Sequence, residues 1–365
     1  MKPFDARVTI SPMSESTIPR RVGRTLAEPS WADLPEKELL QLRLKDLDLS
    51  ISGTWLDECL DILNAELKAR KIQARVHCWI SDEWFSPDNT PGISIPFYLA
   101  HPRLMRLEKK MMHSVEGGTR RECLQIMRHE AGHVVQHAYG LHRRKKWQAL
   151  FGASSKRYPT SYRPNPASKD YVQHLRRWYA QAHPDEDFAE TFAVWLTPRL
   201  NWRKKYAGWS ALKKIEYVDE LMAEIIGEKP QLSKRLKVDP IGKLTMTLGE
   251  HYEKKRAYYS VGAPAVFDTQ LTRVFKANPR SLNAPSAATF IRGNRERIRN
   301  MLDGSHDDYL LTLDAVLDDM IERCRALKLK ASGSAPKLRT QLANLVTNRE
   351  VRSLYDSTRR QRFAV

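Results

Sequence analysis

Apolar residues recur at helical spacing through the middle of the first half of the chain. Leu124, Met127, Ala131, Val134, Val135 and Ala138 fall on one stripe of an α-helix. Thr119-x-x-Glu122, just after Gly117-Gly118, reads as a capping box that starts this helix. Gly140 stands where a left-handed residue would end it. Thr54-x-x-Asp57 opens an earlier helix running to about Arg70, with Trp55, Leu60, Leu63 and Leu67 expected inward. Between the two the period changes. Arg75–Ser81 alternates through Val76, Cys78 and Ile80 and reads as a strand. A turn-rich stretch, Ser86-Pro87-Asp88-Asn89-Thr90-Pro91-Gly92, separates it from a second strand at Ile93–Leu99. The Leu-rich run before the first helix (Leu42, Leu44, Leu47, Leu49, Ile51) mixes alternation with a phase shift and fits either a strand or a helix.

The rest of the pattern divides the chain. Residues 1–34 are polar with no sustained period and read as an extended or disordered arm. Residues 141–175 are loop-rich, with Tyr158-Pro159-Thr160-Ser161-Tyr162-Arg163-Pro164-Asn165-Pro166 as a candidate wall or lid. Pro184 suits the first turn of a further helix, which Thr197-Pro198 closes. Trp202, Tyr206, Trp209 and Leu212 suggest packing helices, and the Gly227-Glu228-Lys229-Pro230 turn marks a boundary. Beyond it, Ser305-x-x-Asp308 caps a long helix to about Lys330, with Leu310, Leu313, Leu317, Met320 and Cys324 along one side. Ala331–Pro336 reads as a linker to a last basic helical stretch. The expected architecture is α+β and mostly helical: an arm (1–34), a domain with a small sheet (35–228) and a basic helical C-terminal region (229–365).

One helix carries candidate chemistry. His129-Glu130-x-x-His133 lies within the 119–140 helix. Residues four apart share a helix face, so His129 and His133 can offer two imidazole nitrogens to one metal ion. Glu130 then sits beside the open coordination position, where its carboxylate can take a proton from water. His137 lies one turn further along, too far to complete the set, and is expected to line the cleft or bond within the core.

A zinc site needs a third protein ligand, and Gln136 and Tyr139 occupy the Gly and His positions of the extended His-Glu-x-x-His-x-x-Gly-x-x-His form. Downstream, Glu186 and Glu190 are four apart on the helix opened by Pro184, with Phe188, Phe192 and Trp195 turned away from them. The favoured assignment makes Glu186 the metal ligand and Glu190 the partner that orients a ligand histidine. The reverse assignment stays open, as do His174 and His183 as third ligands. Asp185 and Asp187 fit a solvated acidic helix start.

These paired motifs resemble the gluzincin clan of zinc metallopeptidases, with His-Glu-x-x-His followed by Glu-x-x-x-Glu. The wording of DEWFSPDNTPGISIPFYLAHPRL, MRHEAGHVVQHAYGLHRRKKW and WYAQAHPDEDFAETFAVWLTPR is closer still to uncharacterised bacterial zinc-binding metallopeptidases, over roughly residues 35–230. The EDFAETF string is similar to the corresponding helix of the lethal-factor protease. That resemblance implies a zincin-like catalytic domain and one Zn2+ per chain. It also points to Tyr179, seven residues before Glu186, as a hydroxyl that stabilises an oxyanion, packing in the core being the alternative. In such proteases an edge strand lines the cleft and substrate adds to it. Ile93-Ser94-Ile95-Pro96-Phe97-Tyr98 is the candidate here, an ordinary structural hairpin the alternative.

Composition narrows the class. A chain of 365 residues with 41% hydrophobic residues can bury a sizeable core. No stretch approaches the roughly 20 apolar residues of a membrane span, and the N-terminus lacks a signal-peptide core. Cys59, Cys78, Cys123 and Cys324 are scattered, which excludes a zinc ribbon and a disulfide framework and places the protein in the cytoplasm. The net charge of +18 would attract polyanions. The basic residues nonetheless fall in short dispersed runs with no nucleic-acid module and read first as solvated basic faces; as a partner, an acidic peptide or protein ranks ahead of nucleic acid. The expected function is a zinc-dependent metallopeptidase, an endopeptidase because no terminus-binding motif is recognisable. The alternatives are a non-catalytic basic scaffold with a structural zinc, and a zinc amidohydrolase acting on a non-protein amide.

Overall fold

The computed structural model describes residues 28–88, 90–112, 115–159, 162, 164–165, 167–259, 267–277, 284–301 and 307–347. Residues 1–27 of the expected arm lie outside the described residues. The last part of that arm does not: Trp31 is buried and donates its indole N–H to the Leu47 carbonyl at 3.0 Å. A large apolar ring with one satisfied donor is driven inward wherever it stands in the chain.

The Leu-rich run forms neither a strand nor a long helix. It makes one-turn α1 (Glu36–Leu39) and a 3₁₀ turn at Leu44–Leu47, with Leu39, Leu44 and Leu47 all buried in one core. Next comes α2 (Trp55–Ala69), capped by the Thr54 hydroxyl, which accepts from the Leu56 amide. Its buried stripe is Leu56, Cys59, Leu63 and Leu67; Trp55 and Leu60, expected inward, are only half-buried on its edges.

Strand β1 (His77–Ser81) pairs in parallel with β2 (Gly92–Pro96), His77 opposite Gly92 and Ser81 opposite Pro96. A hairpin would be antiparallel, so that alternative is excluded. The expected substrate-binding edge is also corrected. All five residues of β2 are buried, Phe97–Ala100 turns into a 3₁₀ helix, and the Ser94 amide donates to the Phe85 carbonyl at 2.8 Å. The chain's own Phe85 segment thus takes up the backbone group that an added strand would use.

Six further helices join the first core: α3 (Pro102–Met112), α4 (Arg120–Ala138), α5 (Lys145–Phe151), α6 (Pro184–Leu196), α7 (Trp202–Lys205) and α8 (Leu212–Glu224). Every residue of α6 is buried, so α6 is the central helix and α4 crosses it. Phe188 of α6 packs on Trp147 and Phe151 of α5, which fixes the apolar side expected of this helix.

The turn at 227–230 does not end this core. The Gln231 amide donates to the Ala138 carbonyl at 2.7 Å, and the Trp79 indole donates to the Val238 carbonyl at 2.8 Å. The next helix, α9 (Leu248–Tyr259), buries Leu248 and Tyr252 in the same core. A Gly-Pro turn signals a surface reversal, not where apolar burial stops, and the expected boundary at 228 therefore falls too early. A second core begins at Phe267 and is built from α10 (Asp268–Val274), α11 (Ala287–Asn300), α12 (Asp307–Ala326) and α13 (Ala335–Thr347). Leu313, Leu317, Met320 and Cys324 of α12 face it as expected, while the Ser305 cap and the chain beyond 347 lie outside the described residues. The expected linker at 331–336 is a short connection inside this core: the Ala331 amide donates to Pro285 at 2.9 Å and α13 starts at Ala335. The described chain is mostly helical with one two-stranded sheet, an α+β architecture. No helix among the described residues is long and apolar enough to cross a membrane.

One buried histidine makes the first core sensitive to acid. His251 of α9 packs edge-on against Phe97, its ring centroid 5.1 Å away, with no partner for Nε2. Burial, helped by Lys255 and Lys254, pushes its pKa down to about 3. The unfolded chain takes up this proton near pH 6.5, so the stabilisation is present above that pH and is lost as pH falls toward 3. Glu83, pushed up to about 7 by burial, acts in the opposite sense, so the comparison between variants is the test. Urea unfolding midpoints of wild type are expected to fall between pH 6.5 and 4 more steeply than those of His251→Leu. Parallel curves would show that His251 is not the group responsible.

Candidate metal centre

Local chain chemistry builds each half of the site. Thr119 accepts from the Glu122 amide at 3.2 Å and fixes the start of α4, and Gly140, at φ 60°, allows the chain to reverse after it. This frames His129, Glu130 and His133 on one buried face. His183 caps α6, its Nδ1 accepting from the Asp185 amide at 3.2 Å, and Pro184 supplies the first turn. Glu186 then lies in the first turn of α6 and Glu190 one turn on.

The crossing of α4 and α6 brings these residues together. The Nε2 atoms of His129 and His133 lie 3.0 and 3.3 Å from Glu186 Oε2. One ligand atom from each of the three lies within 4.8 Å of the others. Glu190 Oε1 faces the far side of the His129 ring, 2.9 Å from Nδ1. Glu190 Oε2 accepts from the Leu175 amide at 2.8 Å and the His174 amide at 3.3 Å. Glu186 therefore faces both imidazoles, and Glu190 faces only the back of one.

The arrangement fits a divalent metal. Two imidazole nitrogens and a carboxylate oxygen are the N/O set that suits zinc. His129 and Glu186 have outer partners that would hold them in place: Glu190 behind His129, and the Tyr158 hydroxyl, which donates to Glu186 Oε1 at 3.1 Å. Glu130 Oε2 is buried with no hydrogen-bond partner. An orphaned carboxylate oxygen beside three convergent donors suits a water that gives up a proton.

The electrostatics follow from burial and pairing. Burial lowers His129 and His133, but the Glu186 carboxylate, with Glu190 on His129, outweighs it and holds both above the usual imidazole range. Burial raises Glu186, and the two imidazoles overcome it and hold the carboxyl well below its usual range. For Glu130 burial wins over the nearby histidines, and its carboxyl is raised. A raised carboxyl is a stronger base than a free one and so better matched to accepting a proton at neutral pH.

Tyr179 stands at the same centre. Its ring centroid is 5.5 Å from that of His129, tilted by 49°. Burial first, and the Glu186 and Glu130 carboxylates after it, raise its hydroxyl well above the usual range. The preceding Trp178 is held at φ 52°, a left-handed conformation uncommon outside glycine, which turns the chain at this point.

The other candidate ligands are engaged elsewhere. His174 Nε2 bonds the Gln125 carbonyl at 2.8 Å, and His183 uses Nδ1 as the helix cap and Nε2 on the Lys156 carbonyl at 2.8 Å. His137 Nε2 pairs with Asp88 at 3.1 Å, away from the three ligand atoms. Asp185 and Asp187 do not form a solvated helix start. Both are buried: Asp185 accepts from Gln136 of α4 at 2.8 Å and from Ser154 at 3.0 Å, and Asp187 pairs with Lys214 of α8 at 2.6 Å. They pin the ligand-bearing end of α6 to its neighbours.

Tyr158 is the residue that periodicity missed. It lies in the loop expected to form a wall, where no pattern singles out one side chain. Its ring stacks on His183, centroids 3.7 Å apart and 16° from parallel, which aims the hydroxyl at Glu186. Of that loop, residues 160, 161, 163 and 166 lie outside the described residues.

With both helices placed, comparison with known proteins is informative. Residues 107–233 match the family described as "Putative zinc-binding metallo-peptidase". The matched segment contains α4 and α6 complete, with Tyr158 and Tyr179 between them. At the level of the family this supports a metallopeptidase, and hence a hydrolase. No curated protein and no solved structure matches the chain.

Proposed function

We propose that this protein is a zinc-dependent peptidase acting within peptide chains. The observation that carries the reading is the convergence of His129, His133 and Glu186, with the buried, unpartnered Oε2 of Glu130 beside them. His129, His133 and Glu186 would hold one Zn2+ per chain. Zinc held there supplies Lewis acidity, polarising a carbonyl and bringing the pKa of water toward about 7.

The chain's own groups do the rest. Glu130 takes the proton of the attacking water and returns it to the leaving amine. The Tyr179 hydroxyl donates to the oxygen that gains charge as the carbonyl is attacked. Glu190 fixes the tautomer and orientation of His129, and Tyr158 keeps Glu186 turned toward the imidazoles. Cleavage within a chain is favoured over removal of terminal residues because no motif for a free terminus is recognisable. A +18 chain also favours substrates with acidic character.

The test is metal content by elemental analysis, paired with cleavage of an unfolded protein substrate. Wild type is expected to carry about one zinc per chain, lost in His133→Ala and in Glu186→Ala. Cleavage is expected to stop with a chelator and return with added zinc. Wild type that takes up no zinc would overturn the reading. Stoichiometric zinc with no cleavage of any peptide would leave a structural zinc protein instead.

A further inference from the structure

A cavity of about 490 Å³ opens at the C-terminal end of α4, one turn beyond the candidate ligand His133. Its wall includes His137, one turn or about 6 Å along α4 from His133. The 3₁₀ turn after α4 (Leu141–Arg143) contributes His142 and Arg143, and the loop after α5 contributes Ser154. The cavity is tied to the centre: Ser154 donates to Asp185, the residue before Glu186. Space of this size admits one side chain of a peptide lying across the site.

The charges around it are unevenly committed. Asp88 on the rim pairs with His137 at 3.1 Å, and Asp185 accepts from both Gln136 and Ser154. The acidic groups therefore have hydrogen-bond partners already, His137 as an imidazole that burial keeps below its usual pKa. Arg143 makes no ion pair among the described residues, and His142 Nδ1 is buried without a hydrogen-bond partner. A free guanidinium on the wall is what a carboxylate ligand requires, its fork of N–H donors matching the two oxygens.

We propose that this cavity is the specificity subsite of the centre and takes an acidic side chain of the peptide, held by Arg143, with His142 close enough to report on it. The proposal rests on the peptidase reading above, deepens it by naming the substrate class, and makes Arg143 a specificity residue. Arg143 lies ten positions beyond His133 and touches none of the three candidate ligands, so its removal acts on selectivity.

Two measurements test it. The first uses zinc-loaded full-length protein and quenched fluorescent peptides matched in pairs, Glu against Gln, at each position flanking the cleaved bond. Wild type is expected to prefer Glu about tenfold in kcat/KM at one position, the effect of one well-formed charged hydrogen bond near the surface. R143Q is expected to bring the ratio close to one through a loss on the Glu peptide larger than on the Gln peptide, and R143E to favour Lys over Glu. No acidic preference at any position in wild type, or a preference that survives R143Q, overturns the subsite.

The second measurement needs no turnover. Histidine ring resonances of the full-length protein are followed by NMR during titration with N-acetyl-Glu-amide or N-acetyl-Gln-amide. Shifts at His142 with the Glu compound alone, lost in R143Q, support the subsite even where no peptide is cleaved and the peptidase reading has failed. Equal shifts with both compounds, or none with either, overturn it.

Discussion

Glu130→Gln is expected to lower kcat/KM for peptide cleavage by about 10²–10⁴-fold while zinc content stays at the wild-type level. The two halves of this expectation have separate causes. The metal would be held by His129, His133 and Glu186, whose facing atoms do not involve Glu130. The amide of glutamine has nearly the same shape as the carboxylate, so the buried space near Cys78 and Ser86 is still filled. What is lost is the ability to accept a proton. Glu130 is well suited to that task because burial raises its carboxyl and leaves Oε2 with no other partner. Single-turnover cleavage alongside elemental analysis separates the two halves. Loss of both zinc and activity would place Glu130 among the ligands. Retention of full activity would sink the general-base assignment and with it the water-activation mechanism.

Gly132→Ala is expected to destabilise the protein by about 1–3 kcal/mol, the range for overpacking a tight interface. A methyl group on Gly132 would lie 2.7 Å from the Ala189 Cα and 3.1 Å from the Ala189 carbonyl oxygen. Both are backbone atoms of α6, so no side chain can swing aside; the helices themselves must separate. The sign is diagnostic because the same change in an exposed helix would stabilise it by up to about 1 kcal/mol. Since α4 carries His129 and His133 and α6 carries Glu186, separation also pulls the ligand set apart, and zinc affinity is expected to fall along with the urea midpoint. A variant as stable as wild type, with unchanged zinc affinity, would mean that the crossing is looser than the structure places it.

Much of this site is readable from local chemistry. His129 and His133 share a face because the helix period brings positions four apart together, and the caps at Thr119 and Gly140 make that helix recognisable before any contact is known. Glu186 and Glu190 share a face for the same reason. The paired motifs put both carboxylates on that one face but leave open which of the two faces the metal, which only the crossing of α4 and α6 distinguishes. The same reasoning overreached where the outcome depends on neighbours. Asp185 and Asp187 look like a solvated helix start, yet they are buried because Gln136, Ser154 and Lys214 meet them from other elements. The strand at 92–96 looks like an open edge because Pro96 cannot serve a central ladder, yet the Phe85 segment closes over it.

By itself, the sequence determined the two site helices, the candidate ligands on each and the mostly helical α+β class, because caps, turns and periodicity act over a few residues. Tertiary structure alone decided which nitrogen faces which oxygen, that the strands run parallel, that the first core runs on through Tyr252, and that Tyr158 reaches Glu186 from a loop. Each of these joins segments 15 to more than 150 residues apart, and the packing free energy that brings them together leaves no period in the chain.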